Sequence, residues 1–563
     1  MSVFEGVWKG SVGQRFAAQI SGQLTLSIHP PTTQPPLPAS GRGWERGEAA
    51  SAADARWRRV AQALAVALAG LAFLTRVAVG PLTIDDAYIT FRYARNLADG
   101  LGFVYNAGQR VLGTTTPLYT IVLAAIYQLG GVDVPRVSLI LAASADAATT
   151  LLLIWLGNRL GSGRAWAALL GALFALSPLS ITYAVGGMES SLFTLLVVGA
   201  AAADVDERPG LAGLLAGLAT LTRPEGLLIA ALVLGRHLVA RHLPPRRAIV
   251  AFLAPVLPWV VFACWWFGSP IPQSVSAKAV AYQHLPPFAN ALWLLVYMGL
   301  PGSSPSQLLL ADPPVPGQVG LLVSVVLVLL TLPFVPRLVR RLGHAASLWP
   351  LAGFGPLLAA AYALAGLRGV PMFQWYLVPL VPFFLLWVVA LLRWTTRRMP
   401  KPAALAAGAV LIGWTVLGLS LGRDAGHSAL APLGVSLARE DAYAAAGRFL
   451  APRLTPNAVV ALPEIGAFGY VANARILDTV GLVSPEATRF YPLPPGFSDE
   501  NAVPPELIRA ERPDFIVGHD RYLQAPLVDA PWFRRDYRLI ATFPAPIWDG
   551  KAVLVYERVG TAN

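Results

Sequence analysis

Two adjacent carboxylates, Asp85 and Asp86, open the densest polar run of the chain, Thr83-Ile-Asp-Asp-Ala-Tyr-Ile-Thr-Phe-Arg-Tyr-Ala-Arg-Asn96. Such a pair can divide labour. One carboxylate accepts a proton from an attacking hydroxyl, while the other orients a substrate or stabilises developing positive charge. Two carboxylates alone would hold Mg²⁺ or Mn²⁺ weakly, with phosphate and water completing the shell. A short acidic side chain here also has a plainer use, as a helix cap or a first-turn dipole partner.

A second group sits in Leu221-Thr-Arg-Pro-Glu-Gly226, which carries Arg223 and Glu225. The apolar runs on either side, 12 and 16 residues long, reach about 18 and 24 Å at 1.5 Å per residue. A membrane core is about 30 Å thick, so the tip of this hairpin should be recessed. An arginine there can grip phosphate oxygens bidentately, or it can pair with Glu225 and merely close the turn. Glu189 lies at a helix start in Gly187-Met-Glu-Ser190. Gln273 and Lys278 share one uncharged-to-basic loop, and Arg368 and Tyr376 frame an aromatic-rich helix start. Arg223, Lys278 and Arg368 are the cations available among these residues for an anionic group. The plainer roles for these residues are dipole partner, lipid-headgroup contact and interfacial aromatic belt.

The elements that position these groups follow from spacing. Ala87, Phe91, Ala94 and Ala98 make one apolar stripe at helical period, with Arg92, Arg95, Asn96 and Asp99 on another face. That pattern predicts an amphipathic helix along the membrane surface, capped by Asp85 or Thr83. Capping would turn the Asp85 carboxylate towards a cavity, which makes Asp85 the first choice of the pair.

The 563 residues are 55% hydrophobic and only 13% charged, against about 25% charged in soluble domains. With repeated apolar runs of roughly 17 to 23 residues, the chain reads as a polytopic α-helical membrane protein. This excludes a cytosolic enzyme, a fibre and an outer-membrane barrel. The single cysteine, Cys264, excludes an internal disulfide and a cysteine metal cluster. The net charge of +12 is unevenly spread. From Leu421 onward 14 basic residues face 16 acidic ones, a net of −2, and the remainder carries +14. Its arginines cluster between apolar runs (56–59, 159–164, 236–247, 337–341, 393–401), the mark of cytoplasmic loops and not of nucleic-acid binding.

Three regions are expected: a disordered extension (1–55), a transmembrane domain (56–421) and an extracytoplasmic α/β domain (422–563). Eleven crossings put every arginine cluster inside, with the N-terminus cytoplasmic and the C-terminus outside, provided Thr114–Gly130 dips into the outer leaflet without crossing. In the last domain, strands are expected at 458–462, 475–480, 514–517, 538–543 and 551–556, and helices at 440–454 and 504–512.

The order of these motifs resembles a known family. Asp85–Asn96 is followed by Gly102-Phe-Val-Tyr-Asn106, Gly113-Thr-Thr-Thr-Pro-Leu118, Gly187-Met-Glu189, Leu221–Gly226, Trp375-Tyr-Leu-Val-Pro379, Gly466-Ala-Phe-Gly469 and Leu477-Asp-Thr-Val-Gly-Leu482. Together they are similar to the GT-C superfamily of integral-membrane glycosyltransferases, nearest the branch with the actinobacterial terminal β-arabinofuranosyltransferases. The resemblance covers most of residues 58–490. It implies an inverting transfer from a polyprenyl-phosphate sugar donor to a hydroxyl of a glycan, lipid or protein acceptor, at the outer face of the cytoplasmic membrane. It also implies that Asp85 and Asp86 are the catalytic centre, with Arg92, Glu189, Arg223, Glu225, Gln273, Lys278, Arg368 and Tyr376 around the substrates. The rival classes are a transporter or flippase of lipid-linked sugars and a non-catalytic scaffold. A transporter should show paired repeats with broken helices at the bilayer midplane, whereas here the polar residues gather at one face.

Overall fold

The computed structural model describes residues 42–281, 288–299, 348–367, 370, 372–420, 438–499, 501–547 and 550–560. The chain divides into two compact units, Met1–Arg59 and Val60–Asn563; the second carries everything that follows. The expected span at 317–335, the arginine cluster at 337–341 and Arg368 lie outside the described residues. Residues 42–55, expected to be disordered, are helical and belong to α1 (Arg42–Val77).

After α1 come α2 (Asp85–Ala98), α3 (Pro117–Gln128), α4 (Val134–Arg159), α5 (Arg164–Ala175), α6 (Pro178–Val185), α7 (Ser190–Val205), α8 (Pro209–Thr222), α9 (Gly226–Val239) and α10 (Arg246–Phe267). The helical part continues with α11 (Gln273–Ala281), α12 (Ala289–Gly299), α13 (Trp349–Gly366), a 3-10 segment (Gln374–Leu380), α14 (Val381–Thr395) and α15 (Lys401–Ser420). Among the described residues, five stretches are long and apolar enough to cross a membrane: Arg56–Val77, α4, α10, α13 and Gln374–Thr395. The pair α5 and α6, bent by 43° at its break, would make a sixth. Helix α3 has only 12 residues, about 18 Å, so it is short for a crossing. Helices α8 and α10 meet through small residues. A Cβ on Gly213 would lie 2.1 Å from the Ala248 carbonyl oxygen, the close backbone approach that glycine allows between apolar helices.

The last part of the chain folds as α16 (Ala438–Leu450), β1 (Val459–Leu462), α17 (Gly466–Ala472), β2 (Arg475–Asp478), α18 (Pro505–Glu511), β3 (Phe515–His519), β4 (Tyr537–Pro544) and β5 (Ala552–Arg558). The five strands and both helices fall within a few residues of their expected places. They form one sheet in the order β2-β1-β3-β5-β4. The βαβ connections make β1 parallel to β2 and to β3, and β5 runs antiparallel between β3 and β4.

Helix α2 is the hinge of the architecture, because its faces belong to different cores. Ala87, Phe91 and Ala94 are buried with the membrane helices, as their spacing predicts. Ile89 and Tyr93 are buried instead with the sheet domain, together with Phe103, Tyr105, Tyr443 and Phe468.

Candidate functional site

Residues 100° apart on a helix face different neighbours, and this separates the two carboxylates. The α2 N-cap is Ile84, with no side-chain cap bond, so neither Asp85 nor Thr83 caps the helix. Asp85 is 3% exposed and points at the start of α17. Its Oδ2 accepts the Gly466 N–H at 2.9 Å and its Oδ1 the Ala467 N–H at 2.8 Å. These backbone donors have no partner within their own helix, and the helix dipole favours an anion beside them. Burial, then the nearby Glu464 carboxylate, push the Asp85 pKa up to about 8, against the opposing pull of Arg439 and the Ala467 N–H. The expectation that Asp85 faces a cavity therefore fails. Both of its oxygens are committed to α17.

Arg92, two helical turns on, holds the other end of α17. It is buried, donates to the Gly469 and Ala474 carbonyls at 2.9 and 2.5 Å and lies 4.2 Å from the Tyr105 ring centre. Arg95 donates to the Tyr470 carbonyl at 3.0 Å. The Asp85 carboxyl oxygens accept from the N–H groups at the N-terminal end of α17, and the cations at its C-terminal end suit the helix dipole. Gly466 permits the contact, since a Cβ there would lie 1.8 Å from the Asp85 carbonyl oxygen. Arg92 thus ties α2 to α17, and α2 is covered by the sheet domain where an amphipathic helix along the membrane surface was expected. Gln273 is a tie of the same kind. Its backbone N–H donates to the Leu112 carbonyl at 2.7 Å and its Nε2 to the Gly481 carbonyl at 3.3 Å.

Asp86 remains open, with 36% of its side chain exposed, and Lys278 Nζ stands 3.9 Å from its Oδ2. Lys278 lies 4.5 Å above the Phe373 ring. Burial opposes the lysine charge, but Tyr376 and Asp86 outweigh it and hold its pKa above the ordinary value. Near this pair is a buried ion triad. Arg223 pairs with Glu189 at 2.6 Å and with Glu225 at 2.8 Å. Its guanidinium sits 4.6 Å from the Tyr376 ring, and Tyr362 donates to Glu225 at 2.9 Å. Two carboxylates already neutralise Arg223, so the expectation of a free phosphate-gripping arginine is not met. Arg223 closes the recessed turn and fastens it to the start of α7.

Sequence reasoning missed Tyr362, and also Arg439, which bridges Glu440 at 2.5 Å and Glu464 at 3.1 Å beside Asp85, whose N–H donates to Glu440 at 3.2 Å. A lone tyrosine in an apolar helix was the available signal for the first. Nothing in the local pattern marks the second. Among the described residues no group of three or more His, Cys, Asp or Glu side chains is placed to hold a metal ion. With Asp85 consumed by α17, the acidic pair does not fit Mg²⁺ or Mn²⁺.

Comparison with known proteins gives this geometry a setting. ArnT from Cupriavidus metallidurans bound to undecaprenyl phosphate superposes with a TM-score of 0.52, over 89% of this chain and 98% of that one, at 13% identity. The same protein in the apo state gives 0.51, over 90% and 98%, at 14% identity. The likeness is one of fold. The chain thus shares the fold of ArnT, in keeping with the resemblance carried by the motif order. A terminal β-(1→2)-arabinofuranosyltransferase of Mycobacterium tuberculosis is 30% identical over 224 residues, 35% of this chain and 35% of the relative's own length. Residues 435–556 match a family described as a domain of unknown function (DUF8728); they are the sheet domain that docks on α2.

Proposed function

We propose that this protein is a membrane glycosyltransferase that moves a sugar from a polyprenyl-phosphate donor to an acceptor hydroxyl, with inversion. The observation that carries the reading is the half-open Asp86 carboxylate facing Lys278 at 3.9 Å, beside the Arg223 triad, in a fold like that of ArnT. Asp86 takes the proton of the acceptor hydroxyl as its oxygen attacks the anomeric carbon. The bond from that carbon to the phosphate oxygen breaks, and Lys278 offsets the charge left on the polyprenyl phosphate. A single displacement of this kind inverts the anomeric centre. Asp85 acts through the fold by fixing α2 against α17. Arg223, Glu189 and Glu225 form the rigid wall that carries Tyr376 over the site, and the mechanism has no metal-dependent step.

In this reading the chain crosses the cytoplasmic membrane eleven times, with its N-terminus inside. The sheet domain lies outside, where it covers α2 and meets an envelope glycan, lipid or protein acceptor. The test is transfer of labelled sugar from polyprenyl phosphate to acceptor by the purified protein. Release of labelled, inverted product supports the reading, and no transfer or hydrolysis of any polyprenyl-phosphate sugar by well-folded protein overturns it.

A further inference from the structure

A buried polar cluster lies inside the helical core, away from the residues given chemical roles above. Arg76, near the end of α1, and Asp146, in the middle of α4, pair at 2.9 Å with no exposure of either side chain. The same guanidinium donates to Ser180 Oγ at 3.1 Å and to the Ala175 carbonyl, and Ser180 donates to Asp146 Oδ2 at 2.5 Å. Ala175 is the last residue of α5 and Ser180 lies in the first turn of α6. The cluster therefore binds both sides of the 43° break, where the end of a helix leaves carbonyls without partners.

What α6 supports gives the cluster its meaning. The Val185 and Gly186 carbonyls at its end accept the Leu82 and Ile84 N–H groups at 2.9 and 3.1 Å, and Asp86 follows two residues after Ile84. Glu189 follows three residues after Gly186. Tyr183 donates to Gln374 at 2.6 Å, which begins the 3-10 segment carrying Tyr376. One kinked half-helix thus underlies Asp86, Glu189 and Tyr376. A buried ion pair contributes little net stability compared with apolar residues of similar volume, whereas removing one partner is strongly destabilising. Stability alone does not call for such a cluster at this place.

We propose that Arg76, with Asp146, is a positioning residue: it sets the angle of α6 and thereby the placing of Asp86 against Lys278 and the Arg223 triad. This rests on the transferase reading. It is tested in full-length protein with the double variant Arg76→Met/Asp146→Leu, which leaves no buried charge unpaired, and with Arg76→Lys, which keeps the charge but not the fork that reaches Ala175 and Ser180. A Leu82→Cys/Val185→Cys pair in a Cys264→Ser background reports the α6 contact directly. The expected result is folded protein with donor KM within about twofold of wild type, kcat lowered on the order of 10-fold to 100-fold, and slower cross-linking of positions 82 and 185. Wild-type kcat and cross-linking in either folded variant overturns the proposal. If the double variant fails to fold, Arg76→Lys decides alone, because its ion pair persists. Loss of transfer in wild type itself is a failure of the transferase reading; the cross-linking result still judges the positioning.

Discussion

Asp85 and Asp86 are neighbours in sequence and opposites in circumstance. Asp85 is 3% exposed, with both oxygens on backbone N–H groups of α17. Asp86 is 36% exposed, with Lys278 3.9 Å away. The first belongs to a dock between the membrane helices and the sheet domain, together with Arg92, Arg95, Gly466 and Gln273. The second belongs to a site shared with Lys278, Tyr376 and the Arg223 triad. A dense polar motif is therefore not a single functional object. One helical face of it assembles the protein, and the next face carries the half-open Asp86 to which we assign the chemistry.

The comparison sharpens into variants that should damage one region and spare the other. Arg223→Ala should be the most harmful to folding. It strands Glu189 and Glu225 in a buried place, a loss of about 3–5 kcal/mol, and folded yield after detergent extraction should fall sharply. Undiminished yield with a raised donor KM would return Arg223 to the role of phosphate ligand. Gly466→Ala follows. The added Cβ overlaps the Asp85 backbone, and such overpacking costs about 1–3 kcal/mol, read as a lowered thermal midpoint. Lys278→Ala should leave the midpoint near wild type and raise donor KM about tenfold, equivalent to about 1.4 kcal/mol; Lys278→Arg should recover much of it. Gln273→Ala removes one neutral hydrogen bond to Gly481, about 0.5–1.5 kcal/mol, and should leave donor and acceptor KM unchanged. A kinetic defect there would move Gln273 from the dock to the site.

What could be read from the sequence was what depends on near neighbours. The stripe of Ala87, Phe91 and Ala94 gave the buried face of α2, because helical period is local. The alternating and apolar runs after 458 gave all five strands. The apolar runs flanking Leu221–Gly226 gave the two helices on either side of Arg223. The partners were not legible. Glu189 meets Arg223 across 34 residues, and Asp85 meets Gly466 across 381. Which way a carboxylate on α2 faces depends on a helix that the local pattern cannot place. Arg76 and Asp146 did carry a signal, as charges inside apolar spans, but each looks unpaired until α1 and α4 are brought together.

The most direct measurement compares Asp85→Asn with Asp86→Asn in the same assay, as sugar transferred per folded molecule alongside the thermal midpoint. Asp86→Asn should keep the wild-type midpoint and lose 10²-fold or more of turnover, the scale of a missing general base. Asp85→Asn should lower the midpoint, by the equivalent of about 1–3 kcal/mol for a mispaired buried group, while its folded fraction turns over far faster than the Asp86 variant. A stable Asp85→Asn protein without transfer, beside an Asp86→Asn protein that transfers normally, would contradict the account.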